Sequence, residues 1–143
     1  MNAVAKPKFE ELTVGDVVAT RNIDLDRANL VRYAGASGDF NPIHWNDKFA
    51  HEVGLESVIA HGMLTMGMAV TVVEEWVGDQ TAILDYQARF ARQVPVPNPG
   101  FTTLELSATV GLLKEEDRQA RIDLTVICDG AKVLAKSQVL VQL

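Results

Sequence analysis

The chain has 143 residues, 48% of them hydrophobic and 22% charged, which predicts one domain over residues 1–143 and excludes a disordered segment. Thirteen basic residues against nineteen acidic ones leave a net charge of −6, so the clustered positive field of a nucleic-acid binder is excluded. The single cysteine, Cys128, excludes an internal disulfide and every metal motif built from several cysteines.

The first eight residues contain no apolar run of the secretory kind, so a soluble, cytoplasmic protein is expected. Thr13-Val14-Gly15-Asp16 predicts a turn and residues 17–23 a short strand. Asp26 is placed to cap a helix whose apolar face is Leu30, Val31, Tyr33 and Ala34, with Gly35 and Gly38 ending it. The loop from Ser37 to Trp45 is expected to be extended and stiff, because Pro42 drives Asn41 away from helical geometry. A short helix is expected over 47–53.

Residues 58–73 form the longest apolar stretch, too short for a membrane span and interrupted by His61. Met63, Met66, Val70, Val73 and Val77 recur at helical spacing, with Leu64, Met68 and Val72 on another side, so a helix enclosed on more than one face is expected. Gly78 is its stop. A strand over 82–92 then runs into the rigid segment Pro95-Val96-Pro97-Asn98-Pro99-Gly100.

From there the period is two. Leu104, Leu106, Ala108, Val110 and Leu112 alternate, as do Ala120, Ile122, Leu124, Val126 and Cys128, then Val133, Ala135, Ser137, Val139 and Val141. Lys114 to Asp117 forms a turn, and Asp129-Gly130 marks a tight hairpin. The expected architecture is α+β: an antiparallel sheet of about five strands wrapped around one long apolar helix.

All three histidines fall between positions 44 and 61. Asp39 and His44 share a loop, where a carboxylate and an imidazole can divide proton transfers between them. His61-Gly62 stands at a helix start, where free N–H groups favour developing negative charge. The residues alone leave plainer roles open: Asp39 as a loop cap, His44 as a satisfied buried group, His61 as a helix-start anchor. His51 reads as a solvent-facing helix residue and Cys128 as an inert buried thiol. Asp39, His44, His51 and His61 are all possible metal ligands, yet their spacing matches no metal signature, and no metal is expected. There is no GxGxxG, Walker A or GxSxG sequence.

Gly38-Asp39-Phe40-Asn41-Pro42-Ile43-His44, followed by Ala60-His61-Gly62-Met63, resembles the MaoC-like hydratase/dehydratase family. With Val94-Pro95-Val96-Pro97-Asn98, the likeness runs to the catalytic B-subunit class of (3R)-hydroxyacyl-ACP dehydratases of type II fatty acid and mycolic acid synthesis. The resemblance implies a hot-dog fold and either a homodimer or a heterodimer with a related non-catalytic subunit. It implies interconversion of a (3R)-3-hydroxyacyl thioester and its trans-2-enoyl thioester, on an ACP or CoA carrier, without a cofactor. Asp39 and His44 are then the catalytic pair. Gly62, Asn41 and His61 form the substrate-binding group, with Asn41 organising the loop and His61 in support. Other readings on the same fold are an acyl thioesterase and a non-catalytic acyl-binding partner subunit.

Overall fold

The computed structural model describes residues 6–143. The chain runs through strand β1 (Val17–Asp26), helices α1 (Arg27–Ser37), α2 (Asp47–Glu52) and α3 (Gly62–Val77), then strands β2 (Ile83–Phe90), β3 (Phe101–Lys114), β4 (Gln119–Cys128), the short β5 (Ala131–Lys132) and β6 (Leu134–Gln142). Five strands form one antiparallel sheet in the order β1-β3-β4-β6-β2, with β5 added on β4. The sheet curls about α3, which packs on β1, β2, β3 and β4. No described helix is long and apolar enough to cross a membrane.

Local chemistry explains the elements. In β4 every second residue from Ala120 to Cys128 is buried, and Leu104, Leu106, Ala108 and Val110 do the same in β3. Asp129 and Gly130 both take positive φ, 48° and 74°, as a primed turn demands. Asp26 accepts from the Asn29 amide while the Asn29 side chain accepts from the Asp26 amide, so α1 begins in a reciprocal capping box. Gly78 closes α3 in the left-handed conformation.

Four expectations need correction. Pro42 opens a 3-10 turn, Pro42–His44, rather than continuing an extended loop, because a proline suits the first helical position and Asn41 caps it. Gly35 lies inside α1, and Gly38 alone ends it. Ala135 is exposed, because the chain bends between β5 and β6 and buries both Val133 and Leu134. The buried face of α3 is Thr65, Ala69, Val72, Val73 and Val77, while Met63 is 58% exposed.

The core is anchored by Leu104, Ile122, Val126 and Val139 on the inner face of the sheet, all completely buried or nearly so. Ile122→Ala should lower stability by about 2–5 kcal/mol, since the sheet beneath α3 cannot close over the cavity left. Urea denaturation measures it; a loss below about 1 kcal/mol would show that this site can collapse.

Candidate active site

The end of α1 sets the first residue of the site. Ser37 Oγ donates to the Tyr33 carbonyl at 2.7 Å and accepts from the Asp39 amide at 3.2 Å, and Gly38 turns the chain at φ 77°. The Asp39 carboxylate then accepts from the Asn41 amide at 3.1 Å, and Asn41 Oδ1 accepts from Ile43 at 3.2 Å. These two consecutive Asx turns explain why the loop needs Asp and Asn at alternate positions. The 3-10 turn that follows swings His44 inward, where it is 7% exposed.

A second segment meets this loop. Val58, Ile59 and Ala60 pair with the proline-rich stretch through Ala60 N–H to Val94 O at 2.8 Å and Val96 N–H to Val58 O at 3.0 Å. Ile59 donates to the Ile43 carbonyl at 3.1 Å. In return its own carbonyl takes His44 Nδ1–H at 2.7 Å. That bond assigns the proton to Nδ1 and leaves Nε2 bare. Nε2 faces Asp39 Oδ2 across 4.0 Å, too far for a direct hydrogen bond and wide enough for one bridging oxygen. Arg27 ties the surroundings together, donating to the Val96 carbonyl at 2.6 Å and pairing with Asp47 at 2.8 Å.

His44 also lines a cavity of about 260 Å³, together with Gly62, Thr65, Phe90, Arg92 and Val133. Gly62 begins α3, and its N-cap residue His61 offers no side-chain cap, so the first-turn amides lack the partner that usually serves them. A Cβ at position 62 would come 3.1 Å from the Phe90 ring, so glycine lets the ring close on the helix start.

His61 lies behind His44 and does not border the cavity: it is 1% exposed, its ring stacked on His44 with centroids 3.8 Å apart. Its Nε2 meets the Asp39 carbonyl, and the Asn41 side chain accepts from Ile43 within its own loop, so neither borders the cavity. His51 is exposed, as expected, and bonds the Glu56 carbonyl at 2.9 Å. Cys128 is buried against Thr102. The roles of Tyr33, Phe90 and the Ile59 carbonyl had no sequence signal; Tyr33 read simply as part of an apolar helix face.

Asp39, His44 and His61 each place a ligand-type atom within 4.8 Å of the others, the one such cluster among the described residues. The two imidazoles are tilted by only 22° in their stack, so their in-plane lone pairs run side by side instead of meeting at a point. A metal ion needs donors converging on it in their ring planes, which two rings stacked face to face do not offer. Burial pushes the His44 pKa below its ordinary 6.5, and the neighbouring His61 adds to this, while the Ile59 hydrogen bond and the Asp39 charge pull the other way.

Comparisons with known proteins place the chain in a family. The family model described as MaoC like domain matches residues 8–126. The 3-hydroxyacyl-thioester dehydratase X of Mycobacterium tuberculosis is 40% identical over 70 residues, which are 49% of this chain and 24% of that protein. The 3-hydroxybutyryl-CoA dehydratase of Methylorubrum extorquens is 28% identical over 85% of this chain and 79% of its own length. A solved MaoC-like dehydratase superposes with TM-score 0.93 at 33% identity, over 96% of this chain and 42% of its own. The chain spans a quarter or less of the first curated relatives it matches, at 24%, 4% and 19% of their lengths.

Because its folded pKa is depressed, His44 binds fewer protons in the folded than in the unfolded state on the acid side of 6.5, so its contribution makes stability fall as pH drops through that window. The His44 ring should titrate below 6.5 by NMR, and His44→Gln should flatten the slope of stability against pH there. A midpoint above 6.5 would contradict the burial argument.

Proposed function

The chain belongs to the MaoC-like domain family, and from that membership we propose that it is a hydro-lyase interconverting a (3R)-3-hydroxyacyl thioester and the trans-2-enoyl thioester plus water. The observation that carries this reading is the bare Nε2 of His44 facing the Asp39 carboxylate across 4.0 Å, beside a cavity that reaches the start of α3.

In dehydration, His44 Nε2 takes the α-proton as the C2–C3 double bond forms. The C3–O bond breaks, and the hydroxyl, held by the Asp39 carboxylate, leaves as water with the proton that His44 Nε2 has just taken from C2. Loss of that proton to the departing water leaves Nε2 bare again for the next turnover, while the Nδ1 proton stays on the Ile59 carbonyl throughout. Hydration runs the same steps in reverse. The amide of Gly62 receives the enolate charge on the thioester oxygen, a kind of contact worth about 3–4 kcal/mol in comparable sites. Burial keeps His44 neutral and able to accept a proton at neutral pH.

The substrate comes as an acyl thioester on a pantetheine arm, borne by CoA or an acyl carrier protein, in fatty acid elongation. Residues 1–143 act as one hot-dog unit. Its β2 edge pairs with that of a second hot-dog subunit, identical or related, which covers the exposed Met63, Leu84 and Phe90. The resemblance to the catalytic B-subunit class belongs to this same proposal.

Purified protein should hydrate trans-2-enoyl thioesters with loss of enoyl absorbance and no release of free thiol. Asp39→Asn and His44→Ala should each lower the rate by roughly 10²-fold or more with the fold intact by circular dichroism. Wild-type turnover in both variants would remove the pair from the mechanism, and free thiol would identify a thioesterase instead. Native mass spectrometry should give two hot-dog chains per particle; a lone 15.6 kDa chain that turns over at full rate would end the pairing proposal.

A further inference from the structure

His61 is almost wholly buried, yet one of its ring nitrogens has no partner. Nε2 lies 3.1 Å from the Asp39 carbonyl oxygen, which can only accept, so Nε2 carries the proton and donates it. Nδ1 is left as a bare lone pair that no described group meets. An unsatisfied buried acceptor costs stability, and such atoms are rare in folded proteins. Packing does not account for it. The ring stacks on His44 at 3.8 Å and takes Tyr33 edge-on at 4.8 Å and 62°, contacts that a phenylalanine would make as well without the orphaned nitrogen. What phenylalanine lacks is the N–H on Asp39.

We propose that His61 is a positioning residue for the Asp39/His44 pair. Its Nε2–H pins the Asp39 peptide from below, and its face sets the plane of the His44 ring. Together the two contacts hold the gap between Nε2 and the carboxylate at the width of one substrate oxygen. The orphaned Nδ1 is the cost of having a ring that both stacks and donates. This inference rests on the hydro-lyase reading of the pair, but its structural half stands apart from turnover.

His61→Phe keeps the stack and removes the donor; His61→Gln restores an N–H near Nε2 and removes the stack. In His61→Phe the melting temperature should hold or rise, since the orphaned atom is gone. Its kcat should fall about 10- to 100-fold, as misplaced catalytic groups cost. KM should change less than about twofold, the mark of an interaction felt mainly in the transition state. His61→Gln should recover part of the lost kcat. The Asp39 carbonyl ¹³C resonance should shift in His61→Phe and return toward its original position in His61→Gln. Wild-type kcat in His61→Phe, or a kcat that falls only as the melting temperature falls, would overturn the proposal. A glutamine variant no better than the phenylalanine variant would overturn the hydrogen-bond half. If the wild-type protein turns over no enoyl thioester, the hydro-lyase reading fails, and the Asp39 resonance decides the clamp alone: an unshifted signal in His61→Phe overturns it.

Discussion

The 2.7 Å bond from His44 Nδ1–H to the Ile59 carbonyl is the contact on which the site depends. It joins the loop after α1 to the segment before α3, two pieces of chain that nothing covalent brings together. It also fixes the tautomer. With the proton held at Nδ1, the nitrogen that faces Asp39 must be the bare one, and a base is presented without any titration being needed. The carbonyl is itself rigid, since Ile59 donates to Ile43 and its neighbours Val58 and Ala60 pair with Val96 and Val94. A histidine so placed is defined by backbone on one side and by a carboxylate on the other.

The same junction explains why polar groups are tolerated so deep. Among the described residues, His44 and His61 are buried with only Thr65, Thr102 and Ser137 as other polar residues, in a core that is mostly aliphatic. His44 offsets its burial with one charge-neutral hydrogen bond, and the remaining desolvation appears as a lowered pKa instead of an ion. The start of α3 follows a similar logic. A serine or aspartate at its N-cap would satisfy the first-turn amides, but His61 stands there and caps nothing. Those amides remain available to whatever enters the cavity beside Gly62.

Much of this was legible from residue types, and the limits fall where the physics predicts. The alternation through Ala120, Ile122, Leu124, Val126 and Cys128 survives intact because a central strand buried on one face permits no other register. Asp26, Gly78 and Asp129-Gly130 have local meanings that tertiary packing did not override. The Asp39–His44 juxtaposition was readable because five residues of Asx turns and a 3-10 turn make it a local event. The Ile59 carbonyl was not readable: every residue has one, and only the path of the chain selects it. The phase of β6 failed at Ala135 because a bend between Lys132 and Leu134 leaves no signature in an apolar run. Hydropathy placed Met63 inward, but a helix stripe states which side is apolar, not what covers it.

Phe90 connects the uncovered edge to the chemistry. It ends β2 at the edge of the sheet, is 48% exposed, lines the cavity and lies against Gly62. Its opposite neighbour in β6 is Leu134, reached through a register shift between Arg89 and Phe90. In the proposed pair, the second subunit covers Phe90 from outside while the ring's other face stays on the helix start. Assembly and substrate binding then act on one side chain, and the water-excluded surroundings that strengthen the Gly62 amide depend on the partner being present. On that proposal, an isolated subunit keeps Asp39 and His44 in place, since their bonds are all internal, but leaves the cavity beside Gly62 and Phe90 open to solvent.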